Sequence, residues 1–256
     1  MAIQLPSFHV SCDLGQVQDF SAACVLKRTP SGETARFDVV HLKRWALGTS
    51  YPRVVEAVHE IVSNPKLRPV VEEPPEGEFG GGWTSARVGD PTLLVDGTGV
   101  GRGVMSLFLD AKMPATITPL VITGGLGYRE DQWGDGTGTR AFFVAKCELV
   151  SAVQAGLQGG SLKIVPGLAE ADTLQREMEN FRVKVSKNAN ELYSARESTN
   201  DDLLLSVAMA LWHATLPPNL GFWGPNPFMH RPDDEPGDRV VRRGGDLPRR
   251  GGAFGR

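Results

Sequence analysis

Three apolar segments that read as strands precede any helical pattern in this 256-residue chain, and that order restricts what it can fold into. Phe8, Val10 and Cys12 alternate with His9, Ser11 and Asp13, as a half-buried strand requires. Ala22 to Lys27 is a second apolar run, and Arg36 to Leu42 a third, β-branched and bounded by polar residues. Gly15 and the segment 29–32 supply turns, so the three runs predict an antiparallel meander. A helix follows, with Pro52 in its first turn and Val54, Val55, Val58, Ile61 and Val62 on one stripe.

Strands and helices then alternate. Strands are expected at Thr92–Val95, Thr116–Ile122 and Leu162–Val165, and helices at Val104–Ala111, Lys146–Leu157 and Ala169–Asn180. Phe181–Val185 and Glu191–Ser194 read as a hairpin, and Asn200 as the cap of a last helix ending near Ala214. Pro69 to Pro91 reads as an irregular insertion, and Gly124 to Gly138 as a mobile glycine-rich loop. The pattern predicts an α/β fold: a mixed sheet with helices on both faces. It places one domain at 1–216 and a Pro/Gly/Arg-rich, disordered tail at 217–256.

Composition excludes several classes. The formal net charge is −3, so contact with nucleic acid would need a local basic surface or metal ions. The three cysteines have no CxxC spacing, which speaks against zinc and against a disulfide framework, and a reducing, cytoplasmic setting is expected. No signal peptide and no membrane span are expected. GxSxG and GxxxxGK[ST] are absent, which removes a serine hydrolase and a P-loop motor. The histidines show no metal-ligand spacing; His9 shares a face with Asp13, where a packed structural role is expected.

The informative residues are acids at the ends of expected strands and at one helix start. Asp13 closes the first strand, Asp19 precedes the second, Asp96 ends the run LLVD, and Asp201 and Asp202 open the last helix. Each has a bland reading. Asp13 before Leu-Gly and Asp96 before Gly are turn formers. Asp19 is a solvated loop acid, and Asp201 and Asp202 oppose a helix dipole. Together, such acids can converge at one sheet edge. Mg²⁺ takes oxygen ligands, and two divalent ions roughly 3.5–4 Å apart can activate water and stabilise the leaving oxygen of a phosphodiester. Clustered without metal, the carboxylates would repel, and at least one would titrate high.

In order along the chain, DLGQVQDFSA, HLKRWALGTSYPRVVEAV, LLVDGTGVG, LVITGG, VAKCELVSAVQAGLQGGSLKI, LQREMENFRVKV and NDDLLLSVAMALW resemble the nuclease domain of phage terminase large subunits. The resemblance spans roughly Phe8 to Trp212. It implies an RNase H-like fold and a metal-dependent endonuclease using Mg²⁺ or Mn²⁺. Asp13, Asp96 and the pair Asp201–Asp202 match the metal-binding acids, with Asp19 as a further one. Which of Asp201 and Asp202 is the direct ligand stays open. Lys146 matches a basic position, with DNA contact and simple solvation as its two readings. Implied partners are double-stranded DNA and a separate packaging ATPase and portal, in the cytoplasm of a bacterial host. The insertion at 69–91 and the tail have no counterpart. Two alternatives stand beside this. One is a catalytically silent DNA-binding or assembly module of the same fold. The other is an actin-like or sugar-kinase-type phosphate site, which DLGQ and DGTGVG mimic. The run Gly99, Gly101, Gly103 gives GxGxG and misses the dinucleotide pattern GxGxxG.

Overall fold

The computed structural model describes residues 5–15, 19–32, 34–68, 70–73, 84–87, 89–98, 101–134, 138–185, 191–195 and 200–217. In chain order the elements are β1 (Ser7–Asp13), β2 (Ala22–Ser31), β3 (Thr34–Arg44), α1 (Tyr51–Ser63), β4 (Val70–Glu73), β5 (Thr84–Arg87), β6 (Thr92–Asp96), α2 (Gly101–Asp110), β7 (Thr116–Thr123), β8 (Tyr128–Gln132), β9 (Arg140–Ala145), α3 (Lys146–Gln158), β10 (Leu162–Ile164), α4 (Ala171–Asn180), β11 (Phe181–Val185), β12 (Glu191–Ala195) and α5 (Asp202–Thr215).

Eight strands form one sheet in the order β10-β3-β2-β1-β6-β7-β9-β8. The first three strands are the expected antiparallel meander. From β1 the sheet turns parallel through β6, β7 and β9, and β8 closes it antiparallel. The parallel strands run apolar on both faces because helices cover both. On one face Val10, Cys12, Val25, Leu93 and Val95 pack with Val54, Val58 and Val62 of α1 and with Met105 and Phe108 of α2. On the other, Cys24, Leu26, Leu94, Leu120 and Phe142 meet Leu149 and Val153 of α3, Leu174 of α4 and the length of α5. Alternate residues of one strand therefore serve different cores, as the two-residue period dictates. Helix α5 is buried nearly all round, so it carries no polar stripe after its first residue. No helix among the described residues is long and apolar enough to cross a membrane.

Several expectations need correction. Within the glycine-rich segment 124–138, Tyr128–Gln132 forms edge strand β8. Its residues are almost all exposed, so it has no apolar face to announce it; Arg129 stacks over Phe143 at 3.7 Å and Arg140 pairs with Glu130 instead. Strand β9 was not expected at all. Its run AFFVA passes straight into α3 without a turn residue, so nothing separates strand from helix. The insertion at 69–91 is not wholly irregular, because β4 and β5 pair antiparallel. Residues 74–83 and the tail beyond 217 lie outside the described residues. The N-cap of α5 is Asp201 rather than Asn200, which puts Asp202 at the first helical position.

Candidate metal centre

Strands β1 and β6 are parallel neighbours in register, with Cys12 opposite Val95. One residue further on, both strands end in aspartate, Asp13 and Asp96. Cys12 and Val95 face the α1–α2 core, so the next side chains turn to the opposite face, beneath α5. Helix α5 runs back along β1. Ser11 Oγ donates to the Ser206 carbonyl at 2.6 Å, and the His9 and His213 Nδ1 atoms share a hydrogen bond of 3.0 Å. The helix thus begins, with Asp202, where β1 and β6 end. Ligand sites of open α/β sheets gather outside the carboxyl ends of parallel strands. Here that edge carries the candidate acids.

Two glycines shape the turns beside them. A Cβ on Gly15 would lie 2.3 Å from the carbonyl oxygens of Asp19 and Phe20, so only glycine lets the β1–β2 connection fold back so closely. A Cβ on Gly97 would lie 2.7 Å from the ring of Trp133. Asp96 Oδ1 accepts the Thr98 N–H at 2.8 Å, so the turn reading of this residue holds alongside its place in the cluster. Thr98 Oγ1 in turn accepts the Ile122 N–H at 2.7 Å and ties the turn to β7.

Asp13, Asp96 and Asp202 are all buried, at 7%, 6% and 6% exposure. Burial raises the Asp13 pKa well above the usual carboxylate range, and the charges of Asp96, Asp202 and Asp201 push it further. The Asp13 and Asp96 carboxyls are coupled, so the charge of one opposes ionisation of the other. Burial also raises Asp96, against opposing hydrogen bonds from Thr98 and the charge of Lys146. Asp202 is pushed up to about 7, first by burial, then by the charges of Asp201 and Asp19. Its Oδ2 is buried without a hydrogen-bond partner among the described residues.

The neighbouring acids differ. Asp201 is held by Lys146, whose Nζ donates to Oδ2 at 2.7 Å. Lys146 begins α3 directly after β9, at the same sheet edge, and its side chain is 23% exposed. Asp19 is exposed on the β1–β2 connection. His9 is a packed residue, as expected: burial lowers its pKa to about 3 and that of His213 to about 4, so the pair is neutral.

Glu177 of α4 was missed by sequence reasoning. It is buried, and its Oε2 accepts the Leu204 N–H at 2.9 Å, capping the first turn of α5 from a neighbouring helix. Its Oε1 has no hydrogen-bond partner among the described residues and lies 3.5 Å from Arg44, an ion pair too long to count as a hydrogen bond. Burial raises its pKa to about 7, and the charge of Asp202 adds to that. A signal existed: Glu177 is three residues after Leu174 on the buried stripe of α4, where an acid is out of place.

Among the described residues, no group of three or more His, Cys, Asp or Glu side chains is arranged so as to hold a metal ion. The chemistry nonetheless fits a hard divalent cation. The donors are all carboxylate oxygens, one of them buried and unpartnered, and they repel one another unless a proton or a cation sits among them.

Neither a protein-family model nor a curated protein matches the sequence. Solved structures do match. The large terminase nuclease of thermophilic phage G20c with bound magnesium aligns over 80% of each chain, at 17% identity and a TM-score of 0.50. The Thermus phage P74-26 large terminase nuclease domain aligns over 80% of this chain and 78% of that one, at 18% identity and a TM-score of 0.48. The human cytomegalovirus terminase nuclease domain, manganese-soaked and inhibitor-bound, aligns over 80% of each, at 12% identity and 0.48. The G20c likeness fixes the class of fold: an RNase H-like mixed sheet with helices on both faces. At the level of the fold, the chain resembles the nuclease domain of large terminases.

Proposed function

We propose that this chain is a metal-dependent endonuclease that hydrolyses DNA phosphodiester bonds, serving DNA packaging in a bacterial host's cytoplasm together with a separate ATPase and portal. The observation that carries the reading is the placement of Asp13, Asp96 and Asp202, all buried, at the carboxyl edge of an RNase H-like sheet, where the charges of Asp96 and Asp202 both raise the Asp13 pKa. Such a cluster is costly, and a cation site accounts for it. The G20c nuclease that shares the fold was solved with magnesium.

Asp13 and Asp96 would hold one side of the site and Asp202 the other. Asp202 is favoured over Asp201 as the direct ligand, because Asp201 is bound to Lys146 while Asp202 keeps an unpartnered oxygen. Asp19, on the open side, would be an outer acid. Two Mg²⁺ or Mn²⁺ ions would supply the charge that activates water and stabilises a departing 3′ oxygen. The protein's part is to fix the carboxylates. Two do so from strand ends, and the third stands at a helix start that Glu177 caps. Lys146 offsets their charge and, through Asp201, ties α3 to α5.

The test is cleavage of supercoiled plasmid with Mg²⁺, Mn²⁺ or EDTA, wild type beside Asp96→Asn. Metal-dependent nicking that falls at least on the order of 100-fold in the variant is expected, since losing even an outer partner of a ligand costs up to that much. Metal-dependent nicking that persists in the variant would remove Asp96 from the site. No nicking by folded wild type that still binds DNA would favour the silent binding module.

A further inference from the structure

We propose that the groove between α4 and the end of β3 holds the phosphodiester backbone of the nucleic-acid strand beside the acidic cluster. This rests on the nuclease reading and adds where its substrate lies. The groove is a cavity of about 290 Å³, open to solvent. Four separate segments line it. Thr173, Arg176, Glu177 and Asn180 come from α4, Arg44 ends β3, and Phe20 and Asn200 come from the connections before β2 and α5.

Its place is the first argument. Phe20 follows Asp19, and Asn200 precedes Asp201, so two of the lining segments run directly into the candidate acids. A third, Glu177, caps the helix that begins at Asp202. A strand cut at the cluster has this groove as an adjoining course.

Its chemistry is the second argument. Residues 173, 176, 177 and 180 recur at helical spacing and form one face of α4. The acids Asp172 and Glu179 are not among the lining residues, so this face presents Arg176, a hydroxyl and an amide. Glu177 is the exception, but its carboxylate is buried behind Arg44, which is 25% exposed and also stacks over Phe20 at 4.3 Å. Arg176 is exposed and in no ion pair among the described residues; its hydrogen bonds go to Asp172 O and Thr173 Oγ1 of its own helix. Guanidinium and amide donors are what phosphate oxygens take, and the chain's net charge of −3 leaves binding to such local surfaces.

The test is anisotropy of a labelled DNA duplex with Ca²⁺ in place of Mg²⁺, titrated across salt concentrations. It compares the full-length wild type, Arg176→Gln, Asn180→Ala and Arg53→Gln, the last an exposed arginine away from the groove. Arg176→Gln should weaken binding several-fold and reduce the log–log salt slope by about 0.9, one phosphate's worth. Asn180→Ala should weaken binding with an unchanged slope, and Arg53→Gln should match wild type. Wild-type binding with an unaltered slope and affinity in Arg176→Gln would overturn the groove and leave the nuclease reading standing. An equal loss in Arg53→Gln would show that any surface charge suffices, and would also overturn it. Wild type that neither binds nor nicks DNA would overturn the nuclease reading itself, and the groove with it.

Discussion

Two histidines meet at one end of the contact between α5 and β1, and buried carboxylates gather at the other. At the far end, His9 and His213 share a hydrogen bond, His9 Nε2 meets Ser7 Oγ at 3.1 Å, and both rings are held neutral. At the near end, Asp202 and Glu177 each keep a buried oxygen with no hydrogen-bond partner among the described residues, and burial pushes both up to about 7. One helix, from Asp202 to His213, joins an unsatisfied polar pair to a satisfied one. Burial of a polar group is therefore weak evidence of function by itself. Burial without a partner is stronger, because the desolvation is left uncompensated.

The comparison can be broken from either side. The largest expected effect comes from Asp202→Asn, which should lower plasmid nicking at least on the order of 100-fold. The same variant should raise the melting temperature of metal-free protein at pH 8, because a repelling charge is gone. Gly97→Ala should come next. Its Cβ would enter the Trp133 ring, costing about 1–3 kcal/mol and moving the turn that carries Asp96, so calorimetry and nicking should fall together. His213→Phe leaves the His9 ring without its partner and should cost about 1–3 kcal/mol while nicking below the melting point is kept. Loss of nicking in that variant would mean that the two ends are not separable.

The smallest effect is in pH dependence, and the two ends oppose each other. An unfolded chain releases carboxyl protons near pH 4, whereas folded Asp202 and Glu177 keep theirs to about 7. Their contribution is present below pH 4 and is lost as pH rises through 7. The histidines do the reverse. Unfolded imidazoles protonate near 6.5 while the folded pair resists to about 3 and 4, so stability is lost as pH falls below 6.5. Between pH 6.5 and 8 the acids outweigh what the histidines regain, and the metal-free melting temperature should drop by ~3 °C. Glu177→Gln should flatten that drop, and saturating Mn²⁺ should abolish it.

Much of this was legible in the sequence, for physical reasons. The alternation in SFHVSCD and the run TLLVD place Asp13 and Asp96 because strand period and burial on both faces leave distinct patterns. The pair at the start of DDLLLSVAMALW stands out because nothing else polar but Ser206 precedes the helix's histidine. The rest was hidden. Strand β8 stabilises an edge through ion pairs and stacking, which carry no period. Glu177 and Arg44 act across three elements, and no local spacing connects residues 44, 177 and 204. Which of Asp201 and Asp202 is free depended on Lys146, 55 residues away.

The central claim is that the carboxylate end of α5 is a divalent-cation site and the histidine end is not. Mn²⁺ binding, followed by electron paramagnetic resonance on wild type, Asp96→Asn and His213→Phe without DNA, tests it most directly. Binding by wild type and His213→Phe, lost in Asp96→Asn, is the predicted result. Mn²⁺ binding that survives Asp96→Asn but disappears in a folded His213→Phe variant would contradict it.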